Sequence, residues 1–425
     1  MVKVLPVVAS SPRLAAHLRS AEPNHQPELD GIRGIALLAV MLSHGAPYIQ
    51  QSTLAGKLLN YTMVPGWSGV ELFFVLSGFL ITGILLRTKA ADNYFSSFYM
   101  RRFLRIFPIY YFVVTLGILI APHSSWWNSM LPPLEKTRLA YYLYLQNWPV
   151  FWNHANFMPI SVFGHFWSLA VEEQFYVVWP LVIWLLPEVG IVWLCAAGLV
   201  LALPLRIYMV HLYAGNFSAM ALTTSRIDGL LVGAMLAVLL RRGQITLRWI
   251  YLALALGVGL LGYIAAFHHR ELIATKVYMP TIGITGFALV MGGFLALSQH
   301  PIAWLHRLLT LSWLRTTGKY SYGMYIYHVP IYLAFKHIMT RHFGVPFPMP
   351  LHFAVIYIAA LIGSTFLIAK VSYDSFESRI LAFKIHFKPR YEPRELPSRN
   401  TLVIAAVYAS ASSLDGDAAD ELPSD

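Results

Sequence analysis

Trp67-Ser-Gly-Val-Glu-Leu-Phe-Phe-Val-Leu-Ser-Gly-Phe-Leu-Ile-Thr-Gly-Ile-Leu-Leu86 is twenty residues with one charge. A helix of about that length crosses the hydrocarbon layer of a bilayer. Working outward, nine further apolar segments fall near 32–50, 106–121, 166–187, 191–212, 227–240, 249–267, 279–298, 320–337 and 351–369. Tyr141–Trp148 is aromatic but too brief to cross, which predicts an interfacial helix, with an eleventh span as the alternative. The 425 residues are 57% apolar and only 12% charged, with mean hydropathy +0.58. A water-soluble domain carries about 25% charged residues. The composition argues against a soluble enzyme, a disordered chain and a nucleic-acid partner. It predicts an all-α integral membrane protein of about ten transmembrane helices.

Orientation follows from the basic residues, which concentrate in cytoplasmic loops. With both termini inside, the interior holds Lys3, Arg13 and Arg19, then Arg87, Lys89, Arg101, Arg102 and Arg105. It also holds Arg241, Arg242 and Arg248, then Arg307, Arg315 and Lys319, and seven more from Lys370 to Arg399. That is 21 of the 31 Lys and Arg residues, so the N and C termini are expected to be cytoplasmic. Residues 1–28 read as a cytoplasmic tail, since the apolar run 2–9 is too short and its flanks too polar for a secretory signal. Residues 29–370 read as the transmembrane domain. Residues 371–425, with Pro389, Pro393 and Pro397 and a Ser/Ala/Asp-rich end, read as a cytoplasmic, largely disordered tail. The single cysteine, Cys195, excludes an internal disulfide and a Cys-based zinc site.

Ionisable residues within spans are costly and tend to face a cavity or a partner. In the first span Arg33 and His44 are eleven residues apart, on nearly one helical face and about 16 Å apart along the axis. His44 is a group that changes charge near neutral pH; taken alone, a hydrogen bond to a neighbouring helix is the better account of it. Glu71 enters the second span at the level of His44, while Ser77 and Gly78 suit close helix packing. Arg102 and Arg105, three apart, share a helical face and match phosphate oxygens; positive-inside loops carry such residues in any case. The fourth span opens with His165, Ser168, Glu172, Glu173 and Gln174. Ser168 and Glu172 share a face, so one of the two glutamates is expected to face a cavity. Arg226 and Asp228 stand at the mouth of the sixth span, and Lys319 at the inner mouth of the ninth. His328, halfway through the ninth, reads as a core histidine bonded to a Tyr or Ser. No metal site is indicated.

Six blocks then carry a resemblance. They are Leu29-Asp-Gly-Ile-Arg-Gly-Ile-Ala with the downstream His44, Gly69-Val-Glu-Leu-Phe-Phe-Val-Leu-Ser-Gly-Phe-Leu-Ile and Arg101-Arg-Phe-Leu-Arg-Ile-Phe-Pro. His165-Phe-Trp-Ser-Leu-Ala-Val-Glu-Glu-Gln-Phe-Tyr, Arg226-Ile-Asp-Gly and Gly318-Lys-Tyr-Ser-Tyr follow in order. Together they resemble the acyltransferase-3 family of bacterial membrane O-acyltransferases acting on carbohydrates. The resemblance implies a ten-helix bundle in the inner (plasma) membrane. It places the family's Arg and His on Arg33 and His44, its cytoplasmic Arg-x-x-Arg on Arg102 and Arg105, and its acidic block on Glu172–Glu173. Some members add an extracytoplasmic esterase-like domain, and a stand-alone acyltransferase is expected here.

The combined expectation is acyl transfer, acetyl by preference, from cytoplasmic acyl-CoA to a hydroxyl of a surface, lipid-linked or secreted carbohydrate. Arg33, Arg102, Arg105 and Lys319 are expected to bind the acyl-CoA. His44 is expected to be the base or a transient acyl carrier, with Glu172, Glu173 or Glu71 orienting it. Glu71, His165, Ser168, Arg226 and Asp228 are expected to line the acceptor site, with Ser168 available to an oxyanion. The expected partners are the carbohydrate acceptor and membrane lipid. The rival reading is a transporter or exporter of a small anion or glycan using the same intramembrane polar path.

Overall fold

The computed structural model describes residues 26–120, 123–129, 135–148, 161–212, 221–268 and 277–391. Among these, ten long helices account for the ten expected segments: α1 Pro27–Gly45, α2 Gly69–Thr88, α3 Tyr94–Ile120, α4 Trp167–Leu185, α5 Glu188–Leu212, α6 Thr223–Arg241, α7 Leu247–Phe267, α8 Ile284–Ser298, α9 Ser312–Phe343 and α10 Leu351–Ser372. The chain is an all-α integral membrane protein. Eight stretches are long and apolar enough to cross a membrane by length and composition alone. The two long helices below that mark are α4 and α9, which carry Ser168, Glu172 and Glu173, and Lys319 and His328. Polarity concentrates where chemistry is expected.

Close backbone approach ties the bundle together. α1 and α9 meet where a Cβ on Gly34 would lie 2.3 Å from the Leu314 carbonyl oxygen and one on Gly318 1.9 Å from that of Asp30. α2 and α6 meet the same way: a Cβ on Gly78 or on Gly233 would come within 2.0 Å of Leu230 or Val75 backbone oxygen respectively. Only glycine admits these crossings. The first pair sets the distance between the helices that carry His44 and His328. Outward, Trp193, Val200, Ile356 and Leu367 on α5 and α10 are exposed, as lipid-facing surface requires.

Two local expectations are corrected. The third span starts at Tyr94 rather than near 106: its basic first turns depress hydropathy, but arginine is a good helix former. Residues 141–148 do not form an interfacial helix. The short helix Glu135–Tyr142 stops, Tyr144 takes φ +53°, and its ring stacks on Tyr110 with centroids 4.3 Å apart. The aromatic run is drawn inward by stacking rather than laid on a surface. The C-terminal region from 371 begins with built turns, ahead of the proline-containing stretch beyond Phe387. A wide turn, Tyr373–Glu377, a helical turn, Ser378–Ala382, and a tight turn, Phe383–Phe387, fold back on α3. Residues 1–25 and 392–425, where the remaining tail readings fall, lie outside the described residues.

Candidate active site

The first turns of α3 bring Arg102 and Arg105 to one helical face, as their spacing requires. Both line a cavity of about 100 Å³ that runs in among α1, α2, α4 and α9. Arg33 of α1 shares this wall, held by a 2.8 Å bond from its guanidinium to Asp30 Oδ1. The Arg102 guanidinium lies 4.6 Å above the Tyr176 ring, and its buried Nε has no partner. An unmet guanidinium donor at a cavity wall calls for an anionic oxygen.

Both Glu172 and Glu173 line the cavity, which corrects the expectation of only one. At about 100° per residue, Ser168, Leu169, Glu172, Glu173 and Tyr176 cover roughly a 140° arc of α4, and all five face the same space. Ser77 Oγ donates to Glu172 Oε1 at 2.7 Å and the Tyr176 hydroxyl to Oε2 at 3.3 Å. Ser77 therefore does more than pack, unlike Gly78.

At the inner end stand Ser168 and Tyr325, whose hydroxyl oxygens are 2.6 Å apart. Behind them lie three imidazoles. The rings of His165 and His328 have centroids 4.7 Å apart, and those of His328 and His44 5.0 Å apart. Each ring gives one N–H to a backbone carbonyl, which can only accept. His44 Nδ1 donates to Val40 O at 2.9 Å, while His165 Nε2 and His328 Nδ1 both donate to Tyr325 O, at 2.9 and 2.7 Å. The tautomers follow: the lone pairs sit on His44 Nε2, His165 Nδ1 and His328 Nε2. The last two nitrogens are buried without a partner. His328 is a buried histidine bonded to Tyr325, as expected, but with two other imidazoles beside it. Its spacing from Tyr325 and Tyr322, three residues each on one helical face, is the available signal. Among the described residues no carboxylate touches His44. His44 is held instead by the Val40 carbonyl of its own helix, and it is not among the residues lining the cavity of Glu172 and Glu173.

Glu71, Arg226 and Asp228 are spent on charge pairing rather than on the cavity wall. Glu71 is ion-paired with Arg226, and Asp228 with Arg206, all four buried. Thr285 Oγ1 donates to Asp228 Oδ2 at 2.9 Å, and Arg206 donates to Thr281 O at 2.6 Å. Arg226 also lies 4.9 Å over the Trp167 ring. Sequence reasoning misses Arg206 in the apolar run of α5, although a lone arginine there implies a buried acid nearby.

Lys319 lines a second cavity of about 210 Å³ with Asp30, Arg33, Arg105 and Glu377. Its ammonium is 5.0 Å from both the Tyr320 and the Tyr373 ring centres. A third, larger cavity adjoins Arg102 and Arg105. All three cavities meet at Arg105. Among the described residues no group of three or more His, Cys, Asp or Glu is placed to hold a metal ion.

The family model of the acyltransferase-3 acyltransferase domain matches residues 26–369, which covers every helix of this site. The chain belongs to the acyltransferase-3 family. This acyltransferase-3 chain is 28% identical over 408 residues to the O-acetyltransferase OatA of Staphylococcus aureus, an alignment covering 84% of this chain and 57% of that protein. It is 28% identical over 337 residues to the peptidoglycan O-acetyltransferase OatA of Listeria monocytogenes, covering 72% of this chain and 49% of the relative. The chain thus spans about half the length of the curated relatives it matches. No solved structure matches.

Proposed function

We propose that this protein transfers an acyl group, acetyl by preference, from acyl-CoA to a hydroxyl of a carbohydrate acceptor in the bacterial inner membrane. The acceptor class follows its relatives, one of which is named for peptidoglycan. Both termini lie in the cytoplasm in this reading, so acyl-CoA enters from the face of Arg102, Arg105, Arg33 and Lys319, and the sugar from the opposite face. The observation that carries it is one arginine-walled cavity closed by Tyr325, whose backbone carbonyl holds two of three clustered imidazoles.

The residues present suit the donor. The guanidinium groups match phosphate oxygens bidentately, and the passage beyond them is narrow, as a pantetheine arm requires. His44, half-buried with its Nε2 lone pair free, accepts the proton of the acceptor hydroxyl while the oxygen attacks the thioester carbonyl. The C–S bond breaks, the thiolate leaves and takes up the proton. One hydroxyl of the Ser168–Tyr325 pair turns from the His165 carbonyl to donate to the thioester oxygen as it gathers charge, while the other donates to its partner. In this reading Glu172, held by Ser77 and Tyr176, and Glu173 balance the arginines and position the arm rather than orient His44. Glu71, Arg226 and Asp228 support the outer-half scaffold around the acceptor path, and His165 holds His328 in place.

The test is purified protein supplied with acetyl-CoA and peptidoglycan fragments. Free CoA thiol is expected only when acceptor is present, with an acetyl mass added to the fragment. Solute movement across vesicles without thioester cleavage would establish a transporter instead.

A further inference from the structure

The largest of the three cavities, about 640 Å³, lies between the end of α2, the first turns of α3 and the folded-back segment after α10. Six cations line it: Arg87, Arg101, Arg102, Arg105, Lys384 and Lys388. Among the described residues no carboxylate does. Glu377 accepts a hydrogen bond from Ser372, and Glu188 is paired with Arg241. Like charges gathered around one low-dielectric space repel unless an anion of several charges fills it.

The two lysines are held there by construction. Asn93 Nδ2 donates to Lys388 O at 2.9 Å, and Arg390 N–H donates back to Asn93 Oδ1 at 2.8 Å. Asp92 N–H donates to Arg390 O at 3.0 Å, and Ser97 Oγ to Phe387 O at 2.8 Å. Four bonds strap the segment to the start of α3, with Lys384 and Lys388 facing the arginines. The remaining wall is Ile81, Ile84, Phe98, Pro389 and Tyr391, with the hydroxyl-bearing Thr88 and Ser97. The volume falls in the range of about 300–1,000 Å³ typical of small-molecule sites.

We infer that this cavity binds the adenosine bisphosphate end of the donor, with Lys384 and Lys388 as an outer clamp on its phosphates and the Phe98–Tyr391 wall against the purine. The inference rests on the acyl-CoA reading and extends it to the C-terminal segment. Arg102 and Arg105 belong to both cavities, so a ligand seated here points its remaining arm at Glu172 and Tyr325.

The experiment is calorimetric titration of the full chain in nanodiscs of phosphatidylcholine with adenosine 3′,5′-bisphosphate, CoA, dephospho-CoA and inorganic phosphate. Lys384→Gln with Lys388→Gln is compared with Lys384→Arg with Lys388→Arg, which guards against loss of fold. Wild type is expected to bind the bisphosphate and CoA, and to bind dephospho-CoA about tenfold more weakly, because that ligand lacks one phosphate and its charge-assisted hydrogen bond. The Gln pair is expected to weaken bisphosphate and CoA at least about tenfold on the same basis, with the Arg pair near wild type. Equal affinity of the Gln pair and wild type for the bisphosphate overturns the site. So does inorganic phosphate binding as tightly as the nucleotide. Loss of nucleotide binding when phosphatidylglycerol replaces phosphatidylcholine assigns the cavity to lipid headgroups and also overturns it. Lysine-dependent bisphosphate binding in a protein that releases no CoA would retire the transfer reading alone. Acceptor-dependent CoA release with the same acyl-CoA KM in the Gln pair would retire the clamp alone.

Discussion

His44 of α1 and His328 of α9 stand edge to face, ring centroids 5.0 Å apart and planes at 73°, across the crossing that Gly34 and Gly318 make possible. His328 Nε2 is buried without a hydrogen-bond partner beside a half-buried ring whose own Nε2 is free. A buried unpaired nitrogen costs free energy, and its retention next to the proposed base fits a proton-handling pair.

His44→Ala is expected to lower kcat for acceptor-dependent CoA release by about 10²–10⁴-fold, the usual worth of a general base, with protein level and thermal unfolding unchanged. His328→Gln is expected to reduce kcat and leave the acyl-CoA KM in place. A kcat equal to wild type in His44→Ala would remove His44 from the chemistry.

Arg102→Ala with Arg105→Ala deletes charge-assisted contacts worth about 1.5–3 kcal/mol each. The acyl-CoA KM is expected to rise at least about tenfold, with a smaller change in kcat, read from initial rates at fixed acceptor. An unaltered dependence on acyl-CoA concentration would place the donor elsewhere.

Glu71→Gln removes the carboxylate charge that is ion-paired with the buried Arg226 guanidinium. Removing one partner of such a pair costs about 3–5 kcal/mol, so Tm in detergent is expected to fall sharply. Glu71→Met combined with Arg226→Met is expected to recover most of the loss. Wild-type Tm in the single variant, with a raised acceptor KM, would instead put Glu71 in contact with the sugar.

Gly318→Ala places a methyl group 1.9 Å from the Asp30 carbonyl oxygen. Overpacking of this kind typically costs about 1–3 kcal/mol, and α9 must move away from α1. CoA release is expected to fall further than the Tm change explains, because the shift separates His328 from His44. Gly363→Ala, with open space around its Cβ, is the control and is expected to behave as wild type.

The ten helices are legible in the sequence because a bilayer imposes one strong rule, that about twenty residues must be apolar. Gly69–Thr88 obeys it and matches its expected span within two residues at each end. The Arg102–Arg105 pair is legible for a local reason, since i and i+3 share a helical face wherever the helix sits. The 141–148 segment misleads because its outcome depends on Tyr110, more than thirty residues away. His328 reads as core because nothing near it in the chain reveals that two other imidazoles approach it.

What the amino-acid order determined by itself is therefore whatever repeats along one helix: span number, helical faces and the placing of costly charges in particular spans. Only the tertiary structure decided which of those charges meet. It paired Glu71 with Arg226 and Asp228 with Arg206, left Glu172 and Glu173 to the cavity, and gathered His44, His165 and His328 behind Tyr325. The physical reason is that helix periodicity is a local property, whereas pairing energy depends on distances between helices, and these are set by glycine contacts far apart in the chain.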